Sequence, residues 1–123
     1  MITSIQTITI PVADQERALG FYRDTLGFEV RQDNAFGDSR WLTVAPVGGQ
    51  TEMVLHIPFP GTEPGGSRGV VLTTDDADAV ATSLRSAGIA VDGPEQVGWG
   101  IQATFSDPDG NGFVLMQQPA AAK

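Results

Sequence analysis

The stretch Ile5-Gln6-Thr7-Ile8-Thr9-Ile10-Pro11-Val12, followed by Ala13-Asp14-Gln15-Glu16-Arg17-Ala18-Leu19-Gly20-Phe21-Tyr22-Arg23-Asp24-Thr25-Leu26-Gly27, decides the fold. Its first eight residues alternate apolar and polar side chains, the period of a half-buried strand. Asp14 then offers a carboxylate to the free amide hydrogens of a helical first turn. Ala18, Phe21, Tyr22 and Leu26 recur at i, i+3, i+4 and i+8, one face of a helix. Gly27 ends that helix, because glycine enters the left-handed cap without a Cβ penalty. Residues 28–31, 40–45 and 52–57 read as three further strands, divided by Asp-Asn and Gly-Gly turn signals.

The same plan returns 75 − 14 = 61 residues later, with Asp14 falling on Asp75, Ala18 on Ala79, Gly27 on Gly88 and Val30 on Val91. A strand at residues 69–74 precedes a helix whose Ala77, Val80, Ala81 and Leu84 share one face. Strands at 89–92, 101–106 and 112–117 follow. Between the halves, Pro58-Phe59-Pro60-Gly61-Thr62-Glu63-Pro64-Gly65-Gly66 continues neither sheet nor helix. The expected fold is α+β, two βαβββ modules from one internal duplication, within a single domain of 123 residues. Module one covers about residues 4–58, a linker about 59–67, and module two about 68–118. A module of roughly 55 residues is marginal alone. Two such sheets side by side give a cupped mixed β-sheet, and concave surfaces of that kind are where small ligands bind.

Composition narrows the function. Seven Lys and Arg against fifteen Asp and Glu leave 7 − 15 = −8, and the isoelectric point is near 4.3. That balance repels a phosphate backbone and an anionic membrane surface, so neither nucleic acid nor membrane is an expected partner. There is no cysteine, which excludes disulfides, thiolate metal sites and cysteine nucleophiles. Residues 1–6 have no basic flank or long apolar run, and no window approaches the ~20 apolar residues of a membrane span. A soluble, cytoplasmic protein is expected.

The run Ile10-Pro11-Val12-x-Asp14-x-x-x-Ala18-x-x-Phe21-Tyr22-x-x-x-Leu26-Gly27-Phe28 and the run Asp107-Pro108-Asp109-Gly110-Asn111-Gly112-Phe113 carry a resemblance. With Trp99-Gly100 and Thr74-Asp75-Asp76, they resemble the vicinal oxygen chelate superfamily. That group contains glyoxalase I, extradiol dioxygenases and bleomycin-resistance proteins. The resemblance spans about residues 4–118. Taken by themselves, Asp107–Asn111 form a tight turn and Phe21-Tyr22 pack a core.

The resemblance implies a place for a divalent metal, held in the family's enzymes by one His or Glu from each of four strands. Carried over by position, those places fall on Thr7, Val54, Gly69 and Val114. Two valines and a glycine offer no lone pair, and a neutral threonine hydroxyl is a poor ligand. No metal and no other cofactor is expected. A shift of two residues in the strand at 52–57 puts Glu52 or His56 on the face of Val54, which still supplies too few ligands.

His56 is the only histidine. It reads as a surface group, or as a hydrogen-bond partner or general base in a pocket, with Glu52 as the other candidate base. Neither has a Ser or Cys partner in the sequence. Residues 47–50 are Gly-rich but open no helix, so they form no phosphate loop. Trp41 and Trp99 read either as packing or as walls on which a planar or cationic ligand stacks. The expected ligand-binding set is Thr7, Trp41, Val54, His56, Trp99 and Val114. The resemblance thus implies a metal-free, small-molecule-binding homodimer in the manner of the antibiotic-resistance members, its organic guest planar and partly apolar. The alternative is a superfamily enzyme, a glyoxalase-type lyase or a dioxygenase, with a divalent metal site elsewhere. A metal-free enzyme using His56 or Glu52 as base is a third reading.

Overall fold

The chain runs β1 (Thr7–Pro11), α1 (Gln15–Leu19, continued as a π-helix over Gly20–Thr25), β2 (Glu29–Phe36), β3 (Ser39–Ala45) and β4 (Glu52–His56). It goes on through β5 (Val70–Thr73), α2 (Ala77–Ser86), β6 (Asp92–Val97), β7 (Gly100–Ser106) and β8 (Gly112–Gln117). The computed structural model describes residues 1–119. Two compact units result: Met1–Ser67 with Pro108–Asn111, and Arg68–Asp107 with the residues from Gly112 on. Each holds one four-stranded mixed sheet, ordered β1-β4-β3-β2 in the first and β5-β8-β7-β6 in the second. β1 runs parallel to β4, and β5 parallel to β8. The strand-helix-three-strand plan therefore occurs twice, as the duplication predicts.

In the first unit the pleat sends Ile8, Ile10, Leu42, Val44, Met53 and Leu55 to one face, and all but Ile8 are buried. Ala18, Leu19, Phe21 and Tyr22 of the helix are buried as well, and α1 packs against β4. Gln15 is the polar exception. Its Nε2 donates to the carbonyls of Arg40 (2.6 Å) and Leu55 (2.9 Å), so its burial leaves the amide satisfied. In the second unit Val70, Leu72, Ala103, Phe105, Phe113 and Leu115 share the helix-facing side. Ala103, Phe105, Phe113 and Leu115 form a buried core with Ala77, Ala81 and Leu84 of α2, with Val70 and Leu72 half-buried at its edge, and the rings of Phe105 and Phe113 stack at 5.5 Å.

The helix ends explain an irregularity in the repeat. Asp14 caps α1 as expected, its Oδ1 accepting from the Arg17 amide at 3.0 Å. In the second unit the cap is Asp76, which accepts from the Ala79 amide at 3.0 Å, and not Asp75. Both helices close on a left-handed glycine, Gly27 (φ 77°) and Gly88 (φ 85°). Cap to glycine is thus 27 − 14 = 13 residues in the first unit and 88 − 76 = 12 in the second. The π-helix absorbs the additional residue: the Leu26 amide reaches five residues back to the Phe21 carbonyl, at 3.0 Å. An ungapped comparison aligns the glycines and therefore misplaces the cap by one.

Two strands also differ from expectation. The Asp33-Asn34 turn signal lies inside β2, paired with Leu42 and Trp41, and the turn falls at Gly37-Asp38 instead. Cross-strand pairing outweighs the local preference there, helped by the Arg40 guanidinium, which donates to both Asp33 oxygens (2.9 and 2.6 Å). Residues 89–91 are not in a strand, and β6 begins only at Asp92. The Ile89 amide is spent on closing α2, donating to the Leu84 carbonyl at 2.9 Å.

The Asp107–Asn111 turn does more than reverse the chain. Asp109 Oδ1 accepts from the Ala13 amide (3.2 Å) and from Arg17 Nη2 (2.8 Å). Buried Asn111 donates to the Pro11 carbonyl (2.8 Å) and accepts from the Ser67 amide (3.0 Å). Gly65 lies so close that a Cβ there would sit 2.2 Å from the Asp109 carbonyl oxygen. The motif is a structural tie between the end of β1, the start of α1 and the linker. Among the described residues no helix is long and apolar enough to cross a membrane.

Candidate functional site

The side of the first sheet turned away from α1 gathers most of the expected ligand residues. Register places Thr9 beside Val54, Val54 beside Thr43, and Thr43 beside Gln32, in one row across all four strands. One pleat along, Pro11 lies beside His56 and Trp41 beside Asn34; one pleat back, Thr7 lies beside Glu52. Residues two apart on a strand share a face, so Thr7, Trp41, Val54 and His56 all fall on this side. Val54 and Thr43 are fully buried, Thr7, Trp41 and His56 half-buried, and Thr9 exposed on the edge strand.

The His56 ring stands between two others. Its centroid is 6.4 Å from that of Trp41 and 6.0 Å from that of Phe59, both tilted near 60°. Such tilted pairs are favoured because ring edges are positive and faces negative. Nδ1 lies 2.6 Å from the Ile57 carbonyl oxygen, and a carbonyl only accepts, so this contact holds the ring proton on Nδ1. Phe59 is absent from the sequence-derived set. It lies in the Pro-Gly linker, where a tight turn held by Thr62 presents it: Thr62 Oγ1 donates to the Phe59 carbonyl and accepts from its amide. The sequence signal for it is an aromatic residue set between Pro58 and Pro60, and in the structure Phe59 is 48% exposed.

Glu52 and His56 do not form a catalytic pair. Four residues apart on an extended strand, their Cα atoms are roughly 13 Å from each other. Glu52 is engaged otherwise, accepting from Gln32 Nε2 at 3.2 Å with Arg31 Nη1 at 3.9 Å. Thr43 Oγ1 is the unusual group. It is buried and, among the described residues, has no hydrogen-bond partner.

On the second sheet, Val71, Val114, Thr104 and Asp92 form the row turned away from α2. Gly69 precedes β5 by one residue. Trp99 lies off this face, in the two-residue turn between β6 and β7, and is 62% exposed. A cleft of about 330 Å³ in this unit is lined by Gln96, Val97, Ile101, Gln117, Gln118 and Pro119, with Gly98 and Gly100. None of the six expected ligand residues lines it.

Two βαβββ units, each with its first and last strands paired in parallel, define a duplicated module fold of the vicinal oxygen chelate kind. The model of the Glyoxalase/Bleomycin resistance protein/Dioxygenase superfamily matches residues 4–115, and the chain belongs to that superfamily. It is similar to TnmS3, an antibiotic binding protein from Streptomyces sp. CB03234, at 47% identity. That likeness covers 96% of this chain and 98% of the other, with a TM-score of 0.92. A glyoxalase/bleomycin resistance protein from the same Streptomyces is 48% identical over 93% of this chain and 100% of its own, with a TM-score of 0.85. YetH of Bacillus subtilis (strain 168) is 32% identical over 123 residues, 95% of this chain and all of the relative.

The donor set decides whether the metal of the superfamily's enzymes fits. Thr7, Val54, Gly69 and Val114 bring one neutral hydroxyl among them. Among the described residues no group of three or more His, Cys, Asp or Glu is gathered that could hold a metal ion. These side chains do not fit a divalent cation, which needs several nitrogen or carboxylate donors.

Proposed function

We propose that this protein binds and sequesters a small organic molecule without a metal and without breaking a bond. The side chains at the four metal-ligand positions, Thr7, Val54, Gly69 and Val114, carry this reading. The likeness to an antibiotic binding protein supports it. The guest we propose is planar and partly apolar, neutral or cationic, in keeping with the net charge of −8. Thr7, Trp41, Val54 and His56 contact it on the first sheet. Within the second unit, the proposed ligand residues are Val114 on the sheet and Trp99 at the hairpin tip. The working form is a cytoplasmic homodimer, whose formation covers exposed apolar side chains such as Ile5, Ile57 and Val71.

The test is a screen of planar antibiotics against purified protein by tryptophan fluorescence, run beside metal analysis. Submicromolar binding to metal-free protein, with the compound recovered unchanged, is the expected result. Turnover of the compound that EDTA abolishes overturns the reading. Sedimentation equilibrium at micromolar concentration reports the assembly, and a mass of one chain rules out the dimer.

A further inference from the structure

We infer that the cleft of about 330 Å³ in the second unit is a binding site for small neutral molecules that carry a ring amide. Its place follows from where α2 begins. Gln96 pairs with Ile101 and Ile101 with Gln117, so the three form one row across β6, β7 and β8. The row has the parity of Ala103, Phe105 and Leu115, which puts it on the side of the sheet turned toward α2 and away from Val114. Gln117 fixes that side, because its Oε1 accepts at 2.8 Å from the amide of Ala77, the first residue of α2. One row further along, Ala103 and Leu115 are buried with Ala77 and Ala81 of the helix. Ile101 and Gln117 are only half-buried, and Gln96 is exposed. The sheet thus continues one row past the start of the helix, and that uncovered row floors the cleft. Gly98 and Gly100 line it without adding a side chain.

The lining sets the class of guest. Among the described residues no charged side chain lines the cleft, so an ion entering it meets no counter-charge. Three primary amides stand there instead, Gln96, Gln117 and Gln118, beside the apolar Val97, Ile101 and Pro119. A primary amide offers a carbonyl oxygen and two N–H donors, and an amide in the guest complements both. Gln117 Oε1 is engaged by the helix, and its Nε2 donates to the guest carbonyl. Gln96, two strands and about 10 Å away, accepts from the ring N–H. The ring between them rests on Ile101. The volume is at the lower end of those that hold small ligands, which suits one or two rings.

2-Quinolinone and N-methyl-2-quinolinone differ in the ring N–H alone, and amide chemical shifts of the full chain report where each binds. In the wild-type protein both shift residues 96–101 and 117–118, and 2-quinolinone binds about tenfold more tightly, the worth of one hydrogen bond. Gln96→Leu, at an exposed position, abolishes that preference. Gln117→Glu keeps an acceptor for the Ala77 amide, and with it the circular dichroism of the wild type, but weakens both probes about tenfold. Thymine separates the two sources of a ring amide: binding tighter than 2-quinolinone assigns the cleft to a free pyrimidine base, and weaker binding to a bicyclic lactam. A preference that survives Gln96→Leu overturns the inference, as does the absence of any shift at residues 96–101 with millimolar probe. Shifts confined to the strands of Thr7, Trp41 and Val54 place the probe on the first sheet, and the inference then falls while the proposed function stands.

Discussion

Asn111 and Pro11, a hundred residues apart in sequence, are joined by a hydrogen bond of 2.8 Å from the Asn111 side-chain amide to the Pro11 carbonyl. The same carbonyl accepts from the Gly65 amide at 3.3 Å. Asn111 in turn accepts from the Ser67 amide, so one buried side chain satisfies backbone groups from two distant segments. An amide is required, because the site needs a donor and an acceptor on one short side chain.

Asn111→Asp removes the donor and sets a carboxylate against the Pro11 carbonyl, whereas Asn111→Ala removes both side-chain hydrogen bonds and leaves the Pro11 carbonyl only the Gly65 amide. Each should cost about 2–4 kcal/mol in urea unfolding, with Asn111→Asp recovering part of the loss at low pH as it protonates. Equal stability of wild type and Asn111→Ala refutes the tie.

At Gly65 an alanine meets both a left-handed backbone (φ +80°) and the Asp109 carbonyl oxygen at 2.2 Å. Gly65→Ala should destabilise by more than about 2 kcal/mol. Gly61→Ala, with positive φ and nothing within 4 Å, should cost only the conformational strain of about 1–2 kcal/mol. Thermal melts of the pair measure the difference, and equal shifts would deny the close approach.

Asp76, and not its neighbour Asp75, caps α2. Asp76→Ala should cost about 1 kcal/mol and Asp75→Ala less than about 0.5 kcal/mol. The reverse order, read from denaturant midpoints, would restore the ungapped alignment of the two modules.

The Arg40 guanidinium, bonded to Asp33, holds its carboxyl below the usual aspartate range, and the partner's proton affinity is raised in turn. A carboxyl with a lowered folded value stabilises above its unfolded value and loses that contribution as pH falls through the folded one. Because the pair is exposed, the contribution is a few tenths of a kcal/mol to about 1 kcal/mol. Asp33→Asn should therefore be slightly less stable than wild type at pH 7, with the gap closing as pH drops below about 4. A gap that widens in acid would contradict the pairing.

Dialysis against EDTA should leave the melting temperature and guest binding unchanged, and added zinc, nickel or manganese should raise neither. A tight site would add several kcal/mol at saturation, so even a small stoichiometric metal content with a matching thermal shift would expose a donor set other than Thr7, Val54, Gly69 and Val114.

Local interactions made much of the fold legible in the sequence. The alternation of residues 5–12, the Asp14 cap and the closing glycines Gly27 and Gly88 depend on neighbours within a few residues, so their order marks strand and helix directly. The absence of metal-ligating side chains at the four family positions is likewise a property of residue types alone.

What required the tertiary structure were outcomes in which distant segments compete with local preference. Asp33-Asn34 carries a turn signal, yet pairing with β3 keeps it in a strand. The additional residue of the first helix becomes a π-turn, because the cap and the glycine are both fixed by the strands on either side. Phe59 reaches His56 only through the turn that Thr62 holds. Thr43 is one threonine among several in the sequence; the register of β2, β3 and β4 buries its hydroxyl where no described group meets it. Residue order specifies the elements through short-range hydrogen bonding and periodicity, while the environment of a side chain is set by which strands lie beside it.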